Sequence, residues 1–275
     1  MSTEPPRSAG KKPDLSVLMA SFNTARFIER SIESVLSIEG IDVELVIQDG
    51  GSTDETEAII TRLSDPRIRF VSEPDHGQSD AWNRALARAT SDWIGWLNAD
   101  DLYDAAGVEG LAGHLGERLD FLYGDYGTID EDGRKLKHYR SSRPFTREGL
   151  LRYGVYVNCS AAFYRAEMLR AVGGLDRDLH YCMDYDLLFR LQRQGVRSLY
   201  VPGPVQYLRT HSDAKSQNVW QIAREGAKVG FRNARGVRGG RIRVLTSLTI
   251  FSLYLLSAPI WNTNAWRRIR PEKRL

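Results

Sequence analysis

Cysteine is scarce in this chain of 275 residues: Cys159 and Cys182 are its two thiols, and they stand far apart. A small fold held together by disulfides is therefore excluded. No apolar secretory stretch stands near the N-terminus, which favours a reduced, cytoplasmic setting. With 42% hydrophobic and 27% charged residues the chain is not a disordered one either, and its length suits one globular α/β domain with a short appendage.

Apolar residues are scarce in the first part of the chain, where residues 1–13 are mostly polar and rich in proline. We expect a disordered tail there. Internal repeats are also lacking. The remainder is predicted to form one domain over residues 14–215, in two halves of about 14–118 and 119–215, followed by a basic helical segment over residues 216–275.

Excess positive charge is lacking over most of the chain. Residues 224–275 hold a net +10, which leaves −7 on residues 1–223. An acidic body speaks against nucleic acid as a partner. The basic residues flank an uncharged run over residues 244–266, and this combination predicts docking on an anionic membrane surface, at the inner face of the cytoplasmic membrane.

The same run is close to the ~20 residues needed to span a bilayer. Its serines, threonines, asparagines and Pro259 favour a helix lying in the membrane interface over a spanning helix. The alternative is a C-terminal helix packed on the body, with its basic residues merely solvated.

Strand and helix patterns alternate through the first half. Two apolar, β-branched runs begin at Leu15 and Val43, with a helical spacing of apolar residues between them. A third strand is predicted from Ile68, and the run WIGWLN from Trp93 is predicted to be a buried strand. The alternation indicates a parallel sheet flanked by helices.

Acidic side chains follow these predicted strands, at Asp49, Asp75, Asp100 and Asp101. In open sheets a ligand binds beyond the carboxyl ends of the strands. Carboxylates that converge there repel one another unless a cation or a ligand rich in hydrogen-bond donors lies among them. The adjacent pair suits a hard divalent ion, whereas the alternative is that Asp101 or Asp104 only caps a helix.

Six motifs occur in the order seen in family 2 glycosyltransferases. They are, from the N-terminus, ASFNTARFIERSIESVLS, VIQDGGSTDET, EPDHGQSDAWNRALARATSDWIGWLNADD, VGGLD, MDYDLLFRL and YLRTHSDAKS. The chain resembles this family over about residues 14–216. The resemblance implies a GT-A fold, with a Rossmann-like, mixed but mainly parallel sheet flanked by helices. It also implies a nucleotide-sugar donor, a divalent metal (Mn²⁺ or Mg²⁺), and inversion at the anomeric carbon.

Carried over by motif, the resemblance places the donor in the first half of the domain. The residues expected to bind the nucleotide-sugar are Ala20, Ser21, Phe22, Asp49, Asp75, Asp80, Asn83 and Asp100. Asp49 is the expected nucleobase ligand, Asp101 the expected metal ligand and Asp100 the ribose contact, and His211 is a further candidate for the metal. Turn or helix-capping roles for Asp75, Asp80 and Asn83, and a structural role for His211, remain the alternatives.

The second half is expected to hold the acceptor and the general base. Asp184 resembles the family's base, although Met183 replaces the usual Glu before it, and its alternative role is a helix N-cap. Asp186 is expected to pair with Arg190 four residues on. Tyr153, Tyr156 and Asn158 are candidates for contact with the acceptor sugar.

The function implied is non-processive transfer of one sugar from a nucleoside diphosphate to a carbohydrate or lipid-linked acceptor, in cell-envelope or exopolysaccharide synthesis. The QxxR pattern at residues 221–224 is followed by Glu225, not by the Trp of processive synthases. The rivals are a non-catalytic nucleotide-sugar-binding protein and a soluble glycosyltransferase acting on a protein or small-molecule acceptor.

Overall fold

The computed structural model describes residues 12–212, 214–215 and 218–246. The strands are β1 (Leu15–Ser21), β2 (Val43–Asp49), β3 (Ile68–Ser72), β4 (Trp93–Trp96), β5 (Leu102–Tyr103), β6 (Phe121–Ile129), β7 (Lys135–Tyr139), β8 (Ala162–Arg165) and β9 (Ser198–Arg209). The helices are α1 (Ile28–Leu36), α2 (Thr56–Leu63), α3 (Gln78–Arg88), α4 (Ala105–Ala112), α5 (Arg147–Tyr153), α6 (Ala166–Ala171), α7 (Met183–Arg193) and α8 (Val219–Asn233).

The strands of the described residues form one sheet in the order β3-β2-β1-β4-β8-β6-β9-β5, with β7 paired to β6. β1 to β4 are mutually parallel, whereas β8 runs antiparallel to both β4 and β6. The predicted mixed, mainly parallel α/β fold is confirmed. The carboxyl ends of β1 to β4 therefore meet at one edge of the sheet.

The strands β1 and β2 of the first half are buried on both faces. Every residue of β2 is buried, and Leu15 pairs with Val43 at the start of the β1–β2 register. Ile28, Ile32 and Val35 of α1 follow a helical spacing and are fully buried in one of the two apolar clusters of the core.

A short strand brings the chain's far end back to this edge. β5 begins directly after Asp101 and pairs antiparallel with β9, with Leu102 opposite Tyr207 and Tyr103 opposite Gln206. As a result the end of β9, and His211 just beyond it, lie beside the NADD turn. This neighbourhood joins residues more than a hundred positions apart.

Only the second half of the apolar run CSAAFY, residues 159–164, is a strand. Asn158 accepts a hydrogen bond at its side-chain oxygen from the Ser160 N–H, at 2.8 Å, and this contact starts a short 3₁₀ helix at Cys159–Ala161. β8 begins only at Ala162. Cys159 and Cys182 are both buried free thiols.

The C-terminal part begins with α8, which packs on α7. The chain is helical again from residue 240, and Val244 is buried against α8 in the same apolar cluster as Val229. Within the described residues no helix is long and apolar enough to cross a bilayer. Most of the uncharged run over residues 244–266 lies outside the described residues, as does nearly all of the predicted tail over residues 1–13.

Candidate active site

Asp49 ends β2, but its carboxylate faces the protein and not a cleft. The residue is fully buried, and its oxygens accept hydrogen bonds from the N–H groups of Gly51 and Ser52 and from the hydroxyls of Ser52 and Ser72, at 2.5–3.0 Å. Gly51 needs a positive φ of 83° for this tight turn. The geometry assigns Asp49 to holding the turn, and it does not support the predicted nucleobase contact.

Asp75 stands over Gly50. A Cβ atom added at Gly50 would lie 2.9 Å from the Asp75 Oδ2, so this carboxylate fills the space of a side chain at position 50. Its Oδ1 accepts a hydrogen bond from the Gly77 N–H at 2.7 Å. Burial, with the like charges of Asp80 and Asp49, raises the pKa of Asp75 above its usual value.

Phe22 projects from the end of β1 at the same edge and is 60% exposed, which is unusual for a ring of this size. Its neighbours Ala20 and Ser21 are less accessible: Ala20 is half-buried, and the Ser21 hydroxyl lies 2.9 Å from the hydroxyl of Thr24. Of the three residues predicted here, Phe22 is the one that presents a free surface.

Asp101 is a buried acid. It is 3% exposed, and its oxygens accept from the Arg209 N–H, the Asn98 amide and the Gln206 amide at 2.8–2.9 Å. Burial, followed by the charge of Asp100, raises the pKa of Asp101 well above its usual range. These partners hold the NADD turn against β9, so the geometry does not support Asp101 as a direct metal ligand.

Asp100 and His211 form a pair at this turn, in which the His211 side chain is only 8% exposed. The Asp100 Oδ2 lies 3.0 Å from the His211 Nε2, and the side chain of Asp100 is 29% exposed. The His211 ring packs on Phe27 with 4.9 Å between centroids. One carboxylate and one imidazole are brought together here by the β5–β9 pairing, from motifs that are separate in the sequence.

Asp80 and Asn83 fasten α3 to the loop that precedes α7, not to a diphosphate site. The Asn83 amide donates to the Leu175 carbonyl and accepts from the Leu175 N–H, both at 2.8 Å. Asp80 is 4% exposed and pairs with Arg84 and Arg177 at 2.8 Å. Burial opposes its ionisation, but hydrogen bonds from His76, Arg177 and Arg84 outweigh that effect and lower its pKa.

Asp184 is the second residue of α7 and is half-buried. Its Oδ1 accepts from the Tyr185 N–H at 2.7 Å. Burial raises the pKa of Asp184 to about 6, against the opposing effect of that N–H and of the positive charge of Lys215. A carboxylate with this pKa is mostly ionised at neutral pH and is a better proton acceptor than an ordinary aspartate.

Two residues that sequence reasoning missed connect these parts. The Gln78 amide at the start of α3 donates to the Asn98 Oδ1 at 3.1 Å and accepts from the Lys215 Nζ at 3.1 Å. Lys215 also acts electrostatically on Asp184. The motif YLRTHSDAKS contains this lysine, but its partner Gln78 lies 137 positions away.

Glu225 of α8 is a third missed residue. Its carboxylate accepts from the N–H groups of His180, Tyr181 and Cys182 at 2.7–3.2 Å, which are the backbone groups just ahead of α7. Such donors lack intrahelical partners at a helix start, and Cys182 supplies no side-chain cap. The C-terminal helix thereby fixes the segment that carries Asp184.

The predicted acceptor residues divide by exposure. The Tyr156 hydroxyl donates to the Pro144 carbonyl at 2.7 Å and accepts from the Thr146 N–H, and Asn158 caps the 3₁₀ helix, so both are engaged within the chain. Tyr153 is 44% exposed and meets the Tyr156 ring edge-on at 6.2 Å. Tyr153 alone of the three offers an accessible ring.

The sheet order defines an α/β protein that carries acidic side chains at the carboxyl ends of its parallel strands. Residues 16–173 match Glycosyl transferase family 2, which is more than half of the chain, and the chain belongs to that family. The predicted family is confirmed.

Among its relatives, the chondroitin synthase of Pasteurella multocida (strain Pm70) is 29% identical over 190 residues, covering 66% of this chain and 19% of that protein. The succinoglycan biosynthesis protein ExoO of Rhizobium meliloti (strain 1021) is 37% identical over 97 residues, covering 35% and 28%. The chain thus spans about a fifth of the length of the synthase and about a quarter of that of ExoO.

Two solved structures share the fold. The mannosyltransferase PcManGT from Pyrobaculum calidifontis, in complex with GDP-Man and Mn²⁺, has a TM-score of 0.66 and 16% identity, over 94% of this chain and 79% of that one. Residues 1–349 of S. aureus TarS, in complex with UDP-GlcNAc, have a TM-score of 0.65 and 13% identity, over 92% and 77%. At these identities the likeness concerns the fold.

Proposed function

We propose that this protein transfers a sugar, with inversion, from a nucleoside diphosphate donor to a hydroxyl group of a glycan or lipid-linked acceptor. Family membership, the acidic edge of the sheet and the perturbed carboxylate of Asp184 support this reaction. The names of the relatives, which include chondroitin synthase and a succinoglycan biosynthesis protein, support a role in polysaccharide synthesis.

The nucleobase is held between Phe22 and Asp75 in this proposal. The exposed ring of Phe22 offers a stacking face, and the free oxygen of Asp75 occupies the place of a side chain at position 50. A carboxylate accepts hydrogen bonds from base N–H groups. In this proposal Asp75, and not Asp49, is therefore the residue that binds the nucleobase of the donor.

A divalent metal fits beside Asp100 and His211. Adjacent ligands of an octahedral ion with bonds of ~2.1 Å lie roughly 3 Å apart, and the two ligand atoms here are 3.0 Å apart. Within the described residues no cluster of three such ligands occurs, so diphosphate oxygens and water would complete the shell. A mixed carboxylate and imidazole set suits Mn²⁺ better than Mg²⁺. The bound ion would supply compensation for charge on the departing diphosphate.

Asp184 acts as the general base. Its carboxylate takes the proton of the acceptor hydroxyl as that oxygen attacks the anomeric carbon, opposite the bond to the diphosphate. One displacement inverts the centre once. The pKa of about 6 keeps the group ionised at neutral pH while making it a competent acceptor. Lys215, between Gln78 and Asp184, supplies a positive charge to the donor phosphates.

The observation that carries the proposal is the continuity of contacts from the metal pair to the base. His211 stands beside Asp100, and Lys215, four residues further along the same segment, contacts Gln78 of α3 and acts on Asp184. The metal pair and the base are therefore linked by the contacts of one short segment, which holds His211 and Lys215.

Thermal unfolding with UDP- and GDP-sugars, with and without Mn²⁺, tests donor binding, because a ligand of the native state raises stability by mass action. Nucleotide release from the stabilising donor tests catalysis, and the anomeric configuration of the product tests inversion. We expect Mn²⁺-dependent stabilisation by one donor class, turnover, and a product of opposite configuration. Binding without release, with every acceptor tried, would favour a non-catalytic nucleotide-sugar-binding protein instead.

We also propose that the C-terminal basic segment docks the protein at the inner, cytoplasmic face of the membrane. The exposed rings and aliphatic side chains near it, Trp220 at 79%, Ile242 at 69% and Leu245 at 54%, support that placement together with the surrounding arginines. The rival is an enzyme that acts on a protein or small-molecule acceptor in solution, which would show no affinity for anionic vesicles.

A further inference from the structure

Positive charge is concentrated in one stretch of the otherwise acidic body. Residues 134–153 contain seven lysines and arginines and a single acidic residue, Glu148. The stretch forms β7, the loop after it and α5, and it plays no part in the donor site described above. Its charge opposes the net −7 of residues 1–223.

Three of the seven cations have partners within the chain. Arg134 pairs with Asp132 at 3.1 Å, and Lys135 pairs with Asp104 at 3.5 Å. Arg147 donates to the backbone carbonyls of Asn233 and Arg235. These residues support the fold and are already engaged.

The other four cations, with two rings beside them, form what we call the basic strip. It consists of Lys137, Arg140, Arg143, Arg152, Tyr139 and Tyr153. The four cations are exposed, and none forms an ion pair in the part of the chain that the structure describes.

Rings accompany the charges of the strip. The Arg143 guanidinium lies 4.2 Å from the Tyr153 ring centroid and that of Arg152 lies 5.3 Å from it, while the Lys137 Nζ lies 4.7 Å from the centroid of Tyr139. Tyr139 is itself stacked on Tyr126. Lys137 and Tyr139 share one face of β7, whereas Leu136, which is 59% exposed, points to the other.

The strip ends next to the helix that carries the base. The Tyr185 hydroxyl, one residue after Asp184, donates to the Leu150 carbonyl at 2.8 Å, and Leu150 lies one helical turn before Tyr153 in α5. An extended molecule bound along the strip would therefore have one end close to Asp184.

We propose that the basic strip binds an anionic glycan, the acceptor chain, and guides its end to Asp184. Cations recognise carboxylate, sulfate or phosphate groups on such a chain, and the interleaved rings pack on its sugar faces. A lipid surface would call for apolar side chains among the cations, and the strip contains none. The inference rests on the proposed function and adds the chemical class of its acceptor.

The test compares carboxymethyl-dextran with neutral dextran of the same length. We expect the full chain to bind the carboxylated polymer and not the neutral one, with affinity that falls as salt rises. Hydrogen exchange should slow in residues 137–153 when the carboxylated polymer is added. Equal binding of the two polymers would overturn the proposal.

The variant Arg140→Gln/Arg143→Gln locates the binding. Each cation near an anionic surface changes affinity by ~5-fold, so the double variant should bind carboxymethyl-dextran about 25-fold more weakly. The matched control, Arg238→Gln/Arg241→Gln, removes the same charge from the C-terminal basic stretch and should change affinity much less. The proposal would be overturned if the control variant lost more affinity for carboxymethyl-dextran than the strip variant. It would also be overturned if the strip variant lost binding to anionic vesicles but kept its binding to carboxymethyl-dextran.

Donor turnover without acceptor separates this inference from the proposed function. The strip variant should release nucleotide from the donor at the wild-type rate, because its changes lie outside the donor site. Normal turnover with undiminished polymer binding in the strip variant would overturn the inference alone. No turnover from any donor by the wild-type protein would overturn the proposed function and leave the polymer binding to be judged by itself.

Discussion

Two carboxylates two positions apart on α7 have opposite surroundings. Asp184 is half-buried with its pKa raised to about 6, whereas Asp186 is 1% exposed and pairs with Arg190 at 2.6 Å and with Arg232. The charged form of Asp184 is disfavoured by its surroundings, as is common for catalytic acids and bases. The charge of Asp186 is compensated by two arginines and stabilises the fold. The predicted i,i+4 pair of Asp186 with Arg190 is thereby confirmed.

This contrast predicts that Asp184→Asn loses activity and gains stability. Loss of the base should lower the rate by at least ~10²-fold with donor affinity nearly intact. The folded pKa lies above the value of 3.8 for an unperturbed aspartate, so the charged form disfavours folding; the penalty is absent below about pH 4 and complete above about pH 6. The free energy of unfolding of the variant should therefore exceed that of the wild type by about 1–3 kcal/mol near neutral pH, and by less near pH 5. Thermal unfolding measures the difference as a higher melting temperature of the variant.

Asp186→Asn is the matched control on the same helix. It leaves the Arg190 guanidinium without its buried partner, and the free energy of unfolding should fall by about 2–4 kcal/mol. Equal changes in melting temperature for the two variants would contradict the distinction between them. Wild-type activity that does not decline below about pH 6 would contradict the role of Asp184 as base.

Substitution of the neighbouring carboxylates Asp100 and Asp101 should have different effects on stability and on the response to Mn²⁺. Asp100→Ala should keep the melting temperature of the free protein but lose the Mn²⁺-dependent stabilisation by donor. Asp101→Ala leaves three buried donors without an acceptor and should cost about 1–3 kcal/mol, while the Mn²⁺ response persists. Thermal unfolding with donor, with and without Mn²⁺, measures both. If Asp101→Ala instead lost the Mn²⁺ response while Asp100→Ala kept it, Asp101 would be the metal ligand.

At the scale of elements, α8 supports α7 through Glu225. Glu225→Ala removes the acceptor for three backbone N–H groups ahead of Asp184. We expect a lower kcat with an unchanged KM for the donor, together with a loss of about 1–3 kcal/mol in stability. Glu225→Gln retains an acceptor oxygen and should recover part of both losses.

The control is Glu57→Ala, at an exposed glutamate of α2. It should change the free energy of unfolding by less than ~0.5 kcal/mol and leave kcat as it is. If Glu225→Ala altered the melting temperature but not kcat, α8 would be a structural neighbour of the base segment and nothing more.

The elements themselves follow from local sequence pattern. The apolar runs of β1 and β2 form strands that are buried almost without interruption, and the 3–4-residue spacing in α1 places its buried residues on one face of a helix. Side-chain roles at the sheet edge do not follow in this way. Asp49 accepts a hydrogen bond from Ser72 on β3, and Asp101 accepts one from Arg209 on β9. These donors lie 23 and 108 positions away along the chain, so a local motif does not reveal them.

Position 50 shows the limit in a single residue. The sequence has Gly at position 50, and a motif offers no means of seeing that the carboxylate of Asp75 fills the space above it. The Glu225 contact is equally remote, at 43–45 positions from its partners. Long-range hydrogen bonds, not propensities, decide these roles.

At the scale of the whole molecule, the body and the C-terminal basic segment meet at Val244, which is 3% exposed. Truncation after Gly236 would remove this core residue, so the informative cut is after Thr246. We expect that truncation to keep the melting temperature and the turnover of a soluble acceptor analogue while weakening binding to anionic vesicles, because Trp220, Ile242 and Leu245 remain.

High salt should weaken vesicle binding of the full chain without eliminating it, because charge attraction is screened and apolar burial is not. The truncated protein measured at the same lipid concentrations is the reference. Aggregation or unfolding after truncation at Thr246 would mean that the removed residues are needed for folding, and vesicle binding of undiminished affinity would assign the whole contact to residues 1–246.

The carboxylate of Asp75 above Gly50 has a consequence for descent. A chain that gains Asp at position 50 while keeping Asp75 passes through a form in which a second side chain and a second negative charge must share the space that the Asp75 carboxylate fills, a costly intermediate. Loss of one acid must therefore come before gain of the other. Homologous sequences should carry an acid at position 50 or at position 75 but rarely at both. Gly50 should therefore occur together with Asp75.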